Sequence, residues 1–317
     1  MNTGLTDRMK SWVNEEAANL PLPGGGFTDT RWLTLAALGR EDTVLGRFAE
    51  AHADAVAILD ELGGPPPKRG RIWGVWAAEP PSPVLEASHG SRGWKLTGVK
   101  PWCSGASLCT DALVTARVGD RSMLFAVDLT QDWCRPIPHT WHAVGMSRSD
   151  SGSVRFDGAL AVPVGEQGAY LERPGFWHGA IGVAAVWFGS ACAVADVLHT
   201  SVRSGADAHT SAHLGAVAAS LGAASSALTT AAAEIDSDPN DCEDRGRTRA
   251  RIVRSIVESA ATDCIDRVGR ALGAGPLCSN GVHARRVADL TVYLRQSHAE
   301  RDLAALGEDI AKEDNPW

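Results

Sequence analysis

The chain has 317 residues, 44% hydrophobic and 21% charged, with a formal net charge of −8 and an isoelectric point near 5.7. This balance excludes a disordered polyelectrolyte, and the acidic charge excludes a nucleic-acid groove or an anionic membrane surface as main partner, because both need clustered Lys and Arg. The length exceeds one typical domain, and seven cysteines, odd in number and without CxxC spacing, point to a reducing compartment rather than a disulfide framework.

In chain order, the opening MNTGLTDRMK is polar and lacks the apolar core of a secretory leader, so the expected location is cytoplasmic. Residues 5–62 have a helical pattern, with Trp32, Leu33, Leu35, Ala36 and Leu38 in one segment and a longer helix over 43–62. Gly63, Gly64 and the prolines at 65–67 end it, because Gly relaxes and Pro forbids helical hydrogen bonding. Short runs rich in β-branched and aromatic residues follow at 72–77, 94–96, 112–118, 123–127 and 154–156, with hairpin turns at 89–93 and 119–120. They predict a central antiparallel β-unit.

After Gly175 the helical period returns over 181–201, 212–235, 252–272 and 285–306, which predicts a C-terminal four-helix bundle. The expected domains are 1–68, helical; 69–168, β; and 169–317, bundle. The apolar stretch near 180–197 is interrupted by Gly182, Gly189 and Ser190 and is expected to be a buried helix, with no membrane insertion. Arg245, Arg247, Arg249, Arg251 and Arg254 point in several directions on a helix and are expected on a solvated face. Cys103, Cys192 and Cys264 are expected in the core.

Several motifs fail on inspection. Gly24–Gly26 and the Leu272-Gly273-Ala274-Gly275 turn follow no strand of a βαβ unit, so neither is a Rossmann phosphate loop. Asp236, Asp238 and Asn240 imitate a calcium loop, but Pro239 interrupts it and Arg247 stands where the closing Glu is required. His209 and His213 lack the Glu of a zinc-protease motif, and no metal is expected.

Three segments in order are informative: Val75-Trp76-Ala77-Ala78-Glu79-Pro80; GWKLTGVKPWCSGASLC over 93–109, leading to Thr110-Asp111-Ala112; and VGMSRSDSGSVRFDGALAVP over 144–163. Together with Ala284-Arg285-Arg286-Val287-Ala288-Asp289 after a Gly-Ala-Gly turn, they resemble the acyl-CoA dehydrogenase family over about residues 70–306. The resemblance implies a helix, β-barrel, four-helix-bundle architecture, FAD as cofactor and assembly as a homodimer or homotetramer. By the same resemblance Val75, Ala77, Ala78, Trp102, Cys103 and Ser104 would surround the isoalloxazine, with the Ser104 hydroxyl near N5. Gly273 and Gly275 would let backbone approach the pyrophosphate or adenosine half. A large flat ring with hydrogen-bonding edges suits aromatic packing plus a few placed donors.

The chain departs from the family where the base should stand. The usual catalytic Glu falls at Ser297, and the alternative carboxylate position falls near Gly179. His298 and Glu300 are the candidate catalytic groups, and a His there is similar to monooxygenases on this scaffold. The family's Arg-x-x-Phe-Gly pattern is replaced by residues 205–214, the N-terminal helical part is short, and Ala78 stands where the family usually has Thr. The expected function is a FAD-dependent oxidoreductase acting on a small or carrier-bound acyl substrate. The alternatives are a flavin monooxygenase served by a reductase or electron-transfer partner, and a catalytically silent subunit or interaction protein.

Overall fold

The computed structural model describes residues 3–15, 17 and 20–312. Among them are helices α1 (Thr3–Glu15), α2 (Thr28–Glu41) and α3 (Thr43–Glu61), then strands β1 (Trp73–Trp76), β2 (Leu85–Gly90), β3 (Gly93–Lys100), β4 (Asp111–Val118), β5 (Arg121–Asp128), β6 (Cys134–Ile137) and β7 (Ser153–Pro163). Helices α4 (Ala169–Glu172), α5 (Pro174–Arg203), α6 (Ala208–Ser237), α7 (Gly246–Leu272), α8 (Gly275–Ser279), α9 (Gly281–Tyr293) and α10 (Glu300–Ile310) complete the chain. Contacts divide it into one unit of Met1–Leu20, Phe48–Ala143 and Ser147–Phe176, and a second of Pro21–Arg47, Val144–Met146 and Trp177–Trp317.

In the first unit β4, β2, β3, β7 and β5 pair in sequence and β5 returns to β4, closing a five-stranded barrel, with β1 added beside β4 and β6 beside β7. The expected antiparallel pattern needs correction: β1 runs parallel to β4, and β2 meets β4 in parallel at Glu86 and Arg117. No hairpin joins these strands; β4 reaches both only after the chain has passed through β3 and the loop beyond it, so direction is free to be parallel. Closure leaves the barrel strands without open edges.

Alternation along β4 builds two cores. Ala112, Val114 and Ala116 join Leu96, Phe125 and Phe156 inside the barrel, whereas Leu113 turns outward with Trp73 and Leu124 toward Ala55, Ile58 and Leu59 of α3. Both faces of β4 are therefore buried, and removing either large contributor from water is worth about 1.5–3 kcal/mol per side chain. The 89–93 and 119–120 turns close the β2–β3 and β4–β5 hairpins as expected.

The second unit is helical. A Cβ at Gly39 would meet the Val186 carbonyl at 2.6 Å, and one at Gly189 would meet the Ala36 carbonyl at 1.8 Å, so α2 and α5 approach through bare backbone. Ser190 adds a hydroxyl bond to the Gly39 carbonyl at 3.1 Å. The predicted continuous helix over 285–306 does not form. It ends in a 3-10 turn at Leu294–Gln296, and α10 starts only at Glu300, after Ala299 adopts φ 47° and ψ −116°. The arginine expectation needs correction in part: Arg245 and Arg247 are exposed, but Arg249 pairs with Glu234 at 2.7 Å, Arg251 pairs with Asp309, and Arg254 lies 4.7 Å over the Trp187 ring.

Helices α5 and α6 are each long and apolar enough to span a membrane by length and composition, but 72% of the most apolar window of α5 is buried within the fold. Cys103 and Cys264 are fully buried as expected, while Cys192 is only partly so.

Candidate functional site

Six of the ten predicted site residues lie in the first unit, where β1 and the loop after β3 run side by side. Trp76 is buried and donates its indole N–H to the Ser104 carbonyl at 3.1 Å, tying the loop to β1. Across that loop Pro101, Cys103, Ser104, Gly105 and Ala106 are buried, yet Trp102 between them is 58% exposed at φ 56°. A left-handed turn at a bulky residue is costly, and here it is what sends the indole outward while its neighbours point in.

The segment before β7 holds this turn in place. Cys103 N–H donates to the Gly152 carbonyl at 2.8 Å, Gly105 N–H to Ser149 at 2.8 Å, and Ala106 N–H to Asp150 at 3.1 Å. Two of the three sequence segments are thus laced together by backbone. Their hydroxyls also meet: Ser104 Oγ lies 2.9 Å from Ser151 Oγ, which lies 2.7 Å from Ser149 Oγ, all three buried.

Val75, Ala77 and Ala78 are half-buried at and beyond the end of β1. Cys103 is fully buried, and burial raises its thiol pKa far above the ordinary value, so it packs as an apolar residue and supplies no thiolate. An outward indole two residues before a buried hydroxyl can offer one face and one polar edge to a planar ring.

Sequence reasoning passed over Lys100. The residue is 3% exposed, and its ammonium donates to the Thr115 carbonyl at 2.7 Å and hydroxyl at 2.8 Å, where β4 has lost β1 and has not yet gained β2. Burial pushes its pKa down to about 8, against the attraction of Glu79. A cavity of about 180 Å³ lies beside it, lined also by Ala78, Glu79, Arg117 and Ser122. The GVKPW spelling gave no hint of this, since a lysine in a strand reads as surface.

The remaining candidates lie in the second unit. Gly273 ends α7 at φ 63° and ψ −159°, a conformation that favours glycine, and Gly275 opens α8. Both are exposed, with nothing within 4 Å of where a Cβ would stand. Asn280 then caps α9, its side chain accepting from Val282 and His283 N–H. Further along α9, buried Asp289 accepts the Met146 N–H at 2.6 Å, and a Cβ on Gly145 would strike the Ala288 carbonyl at 1.9 Å. The Gly-Met and Arg-Asp segments noted in sequence are therefore in direct contact.

Beyond α9 the helix break sets the candidate catalytic groups. His298 is 65% exposed in its side chain; its N–H donates to Asp302 Oδ2 at 3.0 Å, and its Nδ1 is 3.4 Å from Asp302 Oδ1. Glu300 is exposed in the first turn of α10. The turn preceding His298 is pinned from α7, where Arg254 donates to the Ala180 carbonyl at 2.7 Å and the Gln296 carbonyl at 3.4 Å, and Glu258 pairs with Arg295 at 2.8 Å. Asp302, Arg254 and Glu258 were not singled out as site residues in the sequence; the four-residue spacing of Arg254 and Glu258 on one helix was the available signal.

No protein-family model and no curated protein sequence matches the chain. Solved structures do. The chain is similar to butyryl-CoA dehydrogenase from Megasphaera elsdenii with a TM-score of 0.80 and 14% identity, over 98% of this chain and 90% of that one. It is similar to glutaryl-CoA dehydrogenase from Mycobacterium smegmatis in complex with FADH2, with a TM-score of 0.78 and 14% identity over 98% and 90%. It is also similar to FMN-bound TdsC, a dibenzothiophene monooxygenase from Paenibacillus sp. A11-2, with a TM-score of 0.77 and 17% identity over 96% and 95%. The chain therefore has the acyl-CoA dehydrogenase-like fold, which is used by flavoproteins of different chemistries.

Proposed function

We propose that this chain is a flavin-dependent oxidoreductase, with FAD as its cofactor and a cytoplasmic location. The observation that carries the reading is Trp102, an indole turned outward by left-handed backbone from an otherwise buried loop, next to the Ser104 hydroxyl. The ring would rest against Trp102, with backbone of Val75, Ala77 and Ala78 along it and Ser104 at its N5 edge. The ring supplies the redox chemistry by exchanging a hydrogen equivalent at that edge; the chain binds it, orients it and handles protons. Gly273 and Gly275 are exposed, with open space where a Cβ would stand, and are our candidates for contact with a pyrophosphate or adenosine half. Residues 205–214 contain no arginine for a pyrophosphate, and this favours FMN as the second cofactor to be tested.

Of the two chemistries, the geometry supports the monooxygenase better, with a small apolar substrate and a separate reductase. His298 stands off the helix with Asp302 beside its Nδ1, so Nε2 is left to hold or release a proton. Dehydrogenation of a small or carrier-bound acyl thioester is the second reading, and it rests on Glu300, the carboxylate two residues from His298.

Titration of the purified protein with FAD and FMN tests the first step. We expect a bound-flavin spectrum, and a protein that stays colourless with both would sink every enzymatic reading and leave the silent subunit. Trp102→Ala should weaken flavin by about 10-fold or more, since stacking on an aromatic side chain is worth roughly 1–3 kcal/mol in analogous ring-binding sites. Anaerobic bleaching by a reductase with NADH, and not by acyl-CoA, is the expected pattern. Bleaching by acyl-CoA that is abolished in Glu300→Gln would establish the second reading instead. Under the monooxygenase reading His298→Ala loses about 100-fold or more in turnover, the usual range for a general base.

A further inference from the structure

One edge of β4 is paired with β1 as far as Val114 and is met by β2 only at Arg117. The chain crosses from β1 to β2 through residues 77–84, and between this loop and the bared stretch of β4 lies the cavity of about 180 Å³. Side chains two apart on a strand share a face, so Thr115 and Arg117 point the same way as Leu113, away from the barrel interior. Lys100 reaches the gap from β3.

Two donors at this wall have no acceptor. The Lys100 ammonium carries three N–H groups, of which two are used on the carbonyl and hydroxyl of Thr115. Lysine accepts nothing, so the Thr115 hydroxyl, which takes one of those bonds, keeps its own proton for another partner. Among the described residues neither the third N–H nor that O–H meets one, although Lys100 is 3% and Thr115 5% exposed. Donors so deeply buried are costly to leave unmatched.

The charges around them are unbalanced. Arg117 stands exposed at the cavity and makes no ion pair among the described residues, its register neighbour Glu86 included. The lining carboxylate is Glu79, which accepts the Ser122 hydroxyl at 2.6 Å. Two cations face one carboxylate, and one positive charge is left over. Pro81, Pro83, Val84 and Leu85 supply apolar lining.

We propose that this cavity binds a short aliphatic monocarboxylate, its oxygens held by the Lys100 ammonium and the Thr115 hydroxyl with Arg117 beside them, and its alkyl tail against the prolines and Val84. The single uncompensated charge selects a monoanion over a phosphate dianion. The volume lies below the roughly 300–1,000 Å³ of sites for drug-sized ligands, so the occupant is small, and the apolar lining prefers an alkyl carboxylate to a halide. The site lies within the first unit and does not depend on the flavin reading.

The test is ligand-observed NMR titration of the full chain, without added flavin and at fixed ionic strength, with sodium acetate and sodium butyrate. Inorganic phosphate and butylammonium serve as controls of charge. We expect one carboxylate per chain, with butyrate tighter than acetate by about 4-fold for each methylene that is buried. Lys100→Met and Thr115→Val should each weaken butyrate, the first by about 10-fold or more, the usual size of a hydrogen bond to a charged group. Arg117→Gln weakens it less, and Glu79→Gln tightens it by removing the opposing charge.

Failure of wild-type protein to bind either carboxylate, equal affinity for butylammonium, or tighter binding of phosphate than of butyrate overturns the proposal. So does butyrate binding that is unchanged in Lys100→Met and Thr115→Val, which would mark an adventitious association elsewhere. Should Lys100→Met fail to fold, the exposed pair Arg117→Gln and Glu79→Gln decides, because only an anion in this cavity moves their affinities in opposite directions.

Discussion

At Lys100 an ammonium group has exchanged water for two oxygens of Thr115, and the exchange is incomplete. Its folded-state pKa of about 8 lies below the ordinary 10.5, so between these values the unfolded chain binds more protons than the folded one. Stability from this group therefore rises as pH climbs from about 8 to 10.5, and the penalty is full below 8. The span corresponds to about 3 kcal/mol. In Lys100→Met the rise disappears, so urea unfolding of both proteins at pH 7 and pH 10 should show a wild-type advantage that grows with pH; a constant difference would refute the assignment. Trp102 and Lys100 share one lesson at this scale. Their types and neighbours were readable, but a left-handed φ and a gap in the strand ladder are tertiary facts, and these decide that the indole is out and the amine in.

Among the elements, those with strong periodicity were readable and those without it were not. Helix α7 appeared in the sequence as a stripe of Ile252, Val253, Ile256, Val257, Ala260, Ala261, Cys264, Ile265, Val268 and Leu272; Val253, Val257, Ala260, Ala261, Cys264 and Val268 are buried, Ile256, Ile265 and Leu272 are half-buried, and Ile252 at one edge of the stripe is exposed. Strand β2 escaped notice because LEASHG is polar and mostly exposed, and β6 because Cys134–Ile137 contains Pro136. That proline is tolerated since β6 pairs on one side only, with β7. The expected helix over 285–306 failed at 297–299, where no Gly or Pro marks the break. Two variants probe the packing of elements. Gly189→Val should cost about 3 kcal/mol or more, because the new side chain occupies the path of the Ala36 backbone. Asp289→Ala leaves the buried Met146 N–H without its acceptor and should cost about 1–3 kcal/mol, read as a lowered Tm. An unchanged Tm in either would show that the close approach is not structural.

For the whole molecule, α6 poses the remaining question. It is long and apolar, yet only 28% of its most apolar window is buried within the chain. Ala212, Gly215, Ala219, Gly222, Ala223 and Ser226 are exposed along it without an intervening charge. We propose that this face packs against a second copy, as the expected homodimer or homotetramer requires. Ala219→Arg should convert that assembly to monomer in sedimentation with the helical CD spectrum intact, and a monomeric wild-type protein would end the proposal.

By itself the sequence determined the order of helical, β and helical segments and both hairpin turns, because hydrophobic period and turn chemistry are local properties. Tertiary structure alone decided the parallel joints that close the barrel, the meeting of Gly145 with Ala288, the break before α10 and the hydroxyl chain from Ser104 to Ser149. Each depends on which distant backbone comes within a few ångströms, and packing makes that choice across separations that no local pattern records.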